Sequence, residues 1–138
     1  MLALQNRVNN SGLEHSLQEL VKTRASQING CAFCLHMHTR DARAAGETEE
    51  RLYLLDAWRE SPLYTERERA ALAYTEALTR LSETANVADD VFAALKASFT
   101  EEEMVELTLL INTINAWNRF NVAFRVVHPV KAKNAAAA

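Results

Sequence analysis

The sequence predicts an all-α fold, a helical bundle of about six helices, and three observations carry that prediction. Only three glycines and two prolines punctuate 138 residues, whereas strand-rich folds spend many such residues on tight turns. The capping-box pattern of Ser or Thr followed three residues later by Glu occurs at Ser11–Glu14, Thr65–Glu68 and Thr100–Glu103. In that pattern the hydroxyl and the carboxylate satisfy unpaired amides at a helix start. Apolar residues recur at spacings of three and four, and no strand-like alternation is found.

Each element follows from local signals. Leu13, Leu17, Leu20, Val21, Arg24 and Ile28 share one face, so the first helix runs from about Leu13 to Gln27 before Asn29-Gly30 breaks it. The second begins near Cys31 and runs to Ala45, where Gly46 stops it. The third spans about Glu49 to Glu60 with Leu52, Leu55 and Trp58 inward, and Ser61-Pro62 is a turn. Thr65 opens the fourth, whose stripe is Ala71, Leu72, Leu78 and Leu81. The fifth covers about Ala88 to Ser98. Thr100 opens the last and longest, which is expected to reach about Val127.

That last helix is apolar over much of its circumference, which calls for cover on more than one side. Along it Asn112, Asn115, Asn118 and Asn121 form a polar line at three-residue spacing. The line reads either as an internally bonded or solvated seam, or as a pocket wall or subunit interface. The apolar excess predicts a homo-oligomer.

The bulk properties narrow the function classes. A net charge of −3 gives no basic excess of the kind nucleic-acid binders carry. The longest apolar stretches, such as Leu107 to Ile114, are far too short to span a bilayer. The first residues lack the layout of a signal peptide. The expectation is a cytoplasmic protein with no membrane and no nucleic-acid partner. Residues 1–130 are expected to form one domain, and 131–138 a disordered tail.

Chemistry concentrates in Gly30-Cys31-Ala32-Phe33-Cys34-Leu35-His36-Met37-His38, which holds both cysteines and two of the four histidines. On a helix opened by Cys31, the residues Cys31, Cys34, Leu35, His38, Ala42 and Ala45 share one face. His36 projects with Arg40 and Arg43 on the polar side and is expected to be solvated. Amides at a helix N-terminus carry partial positive charge and stabilise a thiolate. A histidine one turn along can take a thiol proton. Two thiols at this spacing can exchange with one another. Three readings stand beside each other: two packed core cysteines, a zinc site of Cys31, Cys34 and His38, with or without His36, and a redox dithiol. The zinc reading lacks the usual second ligand pair. Thioredoxin-type context is absent, because a helix and not a strand precedes the motif.

Glu19, Cys31-Ala32-Phe33-Cys34 and His38 reproduce an E-x11-C-x2-C-x3-H pattern. In this the chain resembles the AhpD-like alkylhydroperoxidases of the carboxymuconolactone decarboxylase family. The stretches "RASQINGCAFCLHMHTRDARAAGETEERLYLLDAWRESP", "YTERERAALAYTEALT" and "NTINAWNRFNVAFR" are similar to the hydroperoxidase-like branch. The resemblance implies an all-α homo-oligomer, a trimer or hexamer, and a peroxidase cycle without a cofactor or metal. It implies that Cys34 attacks the peroxide, that Cys31 resolves it as a Cys31–Cys34 disulfide, and that His38 and Glu19 relay the proton. It also implies a dithiol or lipoyl-type reductant. One departure stands out: Phe33 occupies the place where mycobacterial members carry a relay histidine. True decarboxylases of the family lack the CxxC, so the dithiol argues against decarboxylation. A redox sensor that turns nothing over is the alternative to an enzyme. Periodicity alone reads Glu19 differently, as a solvated residue nearly opposite the apolar stripe of its helix.

Overall fold

Eight α-helices and one 3₁₀ turn make up the computed structural model, which describes residues 1–131; no strand occurs among them. In chain order the helices are α1 (Leu2–Asn9), α2 (His15–Asn29), α3 (Ala32–Ala44), α4 (Glu49–Tyr53), α5 (Glu66–Thr79), α6 (Leu81–Thr84), α7 (Asp89–Ser98) and α8 (Glu101–Ala123). The 3₁₀ turn, Leu55–Ala57, follows α4. All but one of the residues expected to form a disordered tail, 132–138, lie outside the described part.

The extra elements have local causes. Helix α1 carries no amphipathic signal in the sequence, because among its residues Val8 alone is buried and one apolar position makes no stripe. The expected third helix breaks after Tyr53. Leu52, Leu55 and Trp58 all point inward, and a spacing of three suits the 3.0-residue repeat of a 3₁₀ turn better than 3.6. The expected fourth helix ends at Thr79, and Leu81, placed on its buried stripe from the sequence, is largely exposed at the start of α6.

Two of the three capping boxes form, at Thr65–Glu68 and Thr100–Glu103. The third does not. Both carboxylate oxygens of Glu14 accept hydrogen bonds from Arg67, and Ser11 instead accepts a long one from Gln18. An arginine fork that grips two oxygens outcompetes a single amide.

Three helices end in the Schellman arrangement, in which two backbone amides past the end return to the last turn. Gly30, at φ +65°, closes α2, with Cys31 N–H donating to Ser26 O and Gly30 N–H to Gln27 O. Gly46, at φ +98°, closes α3 in the same way. Arg125, at φ +55°, closes α8, with Val126 N–H donating to Asn121 O and Arg125 N–H to Val122 O. With no glycine to announce it, that last end falls four residues before the expected Val127.

Helix α2 is the centre of the bundle. It packs against α3, α5 and α8, and every residue from Leu17 to Ser26 is buried. Two apolar clusters flank it. One gathers Leu17 and Val21 with residues of α5, α7 and α8; the other gathers Leu20 with Ala42, Leu52, Leu55, Trp58, Tyr64 and Leu72. Buried all round, α2 nonetheless carries Gln18, Glu19, Lys22, Thr23, Arg24 and Ser26. Buried polar groups need partners, and nearly all of these have them. Arg24 pairs with Glu76 at 2.9 Å and also reaches Asp56; Trp58 Nε1 donates to the same Glu76 oxygen at 2.9 Å. Ser26 accepts from Asn118 at 3.0 Å.

Candidate active site

Gly30 turns the chain out of α2 so that Cys31 becomes the N-cap of α3. Its backbone is extended, at φ −86° and ψ 94°, and its sulfur accepts a hydrogen bond from the Cys34 amide at 3.3 Å. Cys34 lies in the first turn. The two sulfurs are at disulfide distance, with the α-carbons 5.4 Å apart, inside the range disulfides require. Both cysteines are fully buried. The helix-terminal amide of Cys34 therefore serves the sulfur of Cys31. A side chain in the first turn points back past the free amides, whereas an N-cap side chain faces them.

The buried face of α3 contains Cys34, His38 and Ala42, as the helical projection requires, and meets the face of α2 that carries Glu19. His38 Nδ1 and Glu19 Oε2 are 2.9 Å apart. Lys22 Nζ donates to the other carboxylate oxygen at 2.9 Å, and His15 Nε2 lies 3.8 Å from it. Exposures of 3 % for Glu19, 6 % for Lys22 and 7 % for His38 overturn the periodicity reading of Glu19 as solvated. Periodicity identifies the face of a helix that meets one neighbour; α2 has neighbours on all sides.

Burial pushes the Glu19 carboxyl up. The hydrogen bond from His38 and the charge and hydrogen bond of Lys22 outweigh it, so the group is held below the usual carboxylate range. An ionised carboxylate only accepts, so Nδ1 of His38 is the donor and carries the proton. The other ring nitrogen, Nε2, is thereby left to take or give one.

These groups share a cavity of about 710 Å³. Cys34, His38, Glu19 and Lys22 are among its polar lining, while Phe33, Met37, Ile114 and Trp117 supply apolar wall. Phe33, at the relay position of the resembled family, is therefore wall. Helix α1 encloses one side, tied down by a hydrogen bond from Trp117 Nε1 to Gln5 Oε1 at 2.9 Å. Asn121 of α8 also reaches the cavity, and its Nδ2 lies 3.3 Å from Cys34 Sγ.

The four residues singled out from the sequence, Glu19, Cys31, Cys34 and His38, are thus brought to one place. His36 is not part of it. Expected as a solvated residue, it is half-buried and stacked on His128, with ring centroids 4.7 Å apart. The asparagine line divides. Asn112 is exposed. Asn115 and Asn118 form an internal network with Asn29, Ser26 and Thr79. Asn121 alone belongs to the cavity.

Sequence reasoning missed Lys22, His15 and Asp41 at the site. Their spacings of three or four from Glu19 or His38 were the available signal. The donor atoms of Glu19, His38 and Asp41 lie within 4.8 Å of one another, the spacing of a cation site. The Lys22 ammonium beside Glu19 opposes a second cation there. The cysteines of the zinc reading are paired with each other and stand outside this group.

An all-helical bundle with a buried CxxC pair, a histidine and a charged carboxylate on one cavity wall has the makings of a dithiol redox protein. The chain belongs to the carboxymuconolactone decarboxylase family, whose sequence profile matches residues 1–77. It is 43 % identical over 123 residues to the uncharacterized protein YdfG of Bacillus subtilis (strain 168), covering 89 % of this chain and 83 % of that one. Among solved structures it is similar to ATU0492 of Agrobacterium tumefaciens, a protein of unknown function with a suggested identity as antioxidant defence protein AhpD. The identity is 50 %, the TM-score 0.91, and the coverage 94 % of this chain and 88 % of that one. The debrominase Bmp8 shares the fold at 21 % identity and a TM-score of 0.79, over 93 % of this chain and 68 % of its own. The fold is thus AhpD-like, and one fold serves more than one chemistry. Among the described residues no helix is long and apolar enough to cross a membrane.

Proposed function

We propose that this protein is a thiol-dependent peroxide reductase that cycles the Cys31–Cys34 disulfide. The observation that carries the reading is the placement of Cys34 and the Glu19–His38 pair on one wall of the same cavity. In the reduced protein His38 Nε2 takes the Cys34 proton. The thiolate attacks the peroxide, R′O–OH; an S–O bond forms, the O–O bond breaks, and R′O⁻ leaves. His38 returns the proton and R′OH is released. Cys31 then attacks the sulfenic sulfur of Cys34, and one water departs as the disulfide closes. A dithiol donor restores both thiols and is itself oxidised to a disulfide. The sum is one peroxide and one dithiol converted to one alcohol, one water and one disulfide.

Glu19 has two tasks in this cycle. It fixes the histidine tautomer, and its negative charge stabilises the imidazolium formed when His38 holds the proton. The relay is complete without a histidine at Phe33. The apolar wall of Phe33, Met37, Ile114 and Trp117 suits an organic hydroperoxide. A lipoyl-type dithiol is the reductant class the reading carries forward, and a reducing cytoplasmic location suits the cycle.

Sustained peroxide consumption by the purified protein with a dithiol donor, lost in Cys34→Ser and in Cys31→Ser, is the expected result. One burst equal to the protein concentration, without turnover, would overturn the enzyme in favour of a redox sensor. Stoichiometric zinc in the purified protein would overturn both.

A further inference from the structure

The amide of the helix terminus is spent on Cys31, so the sulfur of Cys34 needs a donor from elsewhere. We infer that Asn121 supplies it: its side-chain amide, reaching across from α8, is a catalytic hydrogen-bond donor to the Cys34 sulfur. The assignment deepens the peroxidase reading and rests on it for the step served.

Three observations support it. The Nδ2 of Asn121 lies 3.3 Å from Cys34 Sγ, across 87 residues of sequence. Its neighbours in the asparagine line do different work: Asn115 and Asn118 are consumed by the internal network, and Asn112 is exposed. The end of α8 is built to hold Asn121 in place. Its own carbonyl is the acceptor of the Schellman bond from Val126, which turns the chain back at Arg125. The returning segment then lays His128 on His36 of α3. The helix that carries the donor is thus tied to the helix that carries the sulfur, two residues beyond Cys34.

A neutral amide facing a sulfur does most where the sulfur is charged, because hydrogen bonds to ions are the strong ones. In the cycle proposed above, Cys34 is charged as the attacking thiolate. The same contact therefore makes the thiol more acidic and makes the disulfide easier to reduce, since stabilising the reduced form raises the potential of a dithiol couple. No redox partner beyond the peroxide and the dithiol donor is needed.

The test isolates Cys34 in a reduced Cys31→Ser chain and records the rate of iodoacetamide alkylation against pH. Asn121→Ala in that background is expected to move the midpoint up by about one pH unit, the size of one hydrogen bond to a charged group. Asn121→Asp, which keeps the shape and exchanges the donor for a negative charge, is expected to move it further. Asn121→Ser, which retains a hydroxyl donor, is expected to fall between Asn121→Ala and the parent. The Asp and Ser variants keep the question open to decision if the alanine variant does not fold. Superposable profiles in folded variants overturn the assignment. Peroxide turnover by the wild-type chain with superposable profiles leaves the peroxidase reading standing and removes Asn121 from it. Shifted profiles in a chain that consumes no peroxide do the reverse.

Discussion

His38 donates from Nδ1 to the Glu19 carboxylate at 2.9 Å, across the contact between α3 and α2, while Lys22 holds the other carboxylate oxygen at the same distance. Glu19 is thus a buried carboxylate gripped by a histidine on one oxygen and a lysine on the other. The arrangement orients the imidazole toward the cavity and keeps the carboxylate ionised.

Removing the anion exposes both consequences. Glu19→Ala leaves the Lys22 ammonium buried without its partner, and breaking a buried pair from one side typically costs about 3–5 kcal/mol. Urea unfolding is expected to show a loss of that order. In the protein that remains folded, peroxide consumption is expected to fall by about two orders of magnitude or more, the usual worth of a positioned acid–base group. Full activity in folded Glu19→Ala would remove the carboxylate from the relay.

The carboxyls set the acid limit of stability. Burial raises Glu19 and Glu76. The partners His38 and Lys22 in one case, and Trp58, Arg59 and Arg24 in the other, bring them below 4.5 in the folded protein. In the unfolded chain both titrate near the ordinary value of 4.5. A depressed folded value contributes stability that is complete above the unfolded value and is lost as the pH falls through the folded one. Unfolding free energy measured at pH 7, 5, 4 and 3 is therefore expected to drop from about pH 4.5 downward. The drop should be shallower in Glu76→Gln. An unchanged slope would mean that the pairing of Glu76 does not distinguish the folded from the unfolded chain.

Gly30 links the two helices of the site. Its φ of +65° lies in the left-handed region, and a Cβ added there would meet nothing within 4 Å. The cost of Gly30→Ala is thus conformational and not steric, about 1 kcal/mol. Thermal unfolding is expected to show a small, clear loss with the disulfide still able to form. A loss several times larger would show that the backbone cannot hold the turn and that the entry of Cys31 into α3 shifts with it.

Much of the fold is legible in local sequence because its causes are local. Thr65 and Thr100 announce helix starts with their own side chains, and Gly30 and Gly46 announce ends through a backbone conformation that suits glycine. The end of α8 at Ala123 is not legible, because the left-handed residue that makes it is Arg125. The missing box at Ser11–Glu14 has the same character: a distant residue, Arg67, claims the glutamate.

The site divides along the same line. Local sequence is enough to make the chain helical and to put Cys31, Cys34 and His38 on one helix, since their spacing is a matter of 3.6 residues per turn. It also carried the pattern that links Glu19 to them. Helix packing is what buries Glu19, sets Lys22 and Asp41 beside it, and brings Asn121 to the Cys34 sulfur from the far end of the chain. The difference comes from the central position of α2. A helix covered on one side declares its inner face through apolar residues. A helix enclosed by three others also buries its polar face, and which charges are paired there depends on which helices arrive.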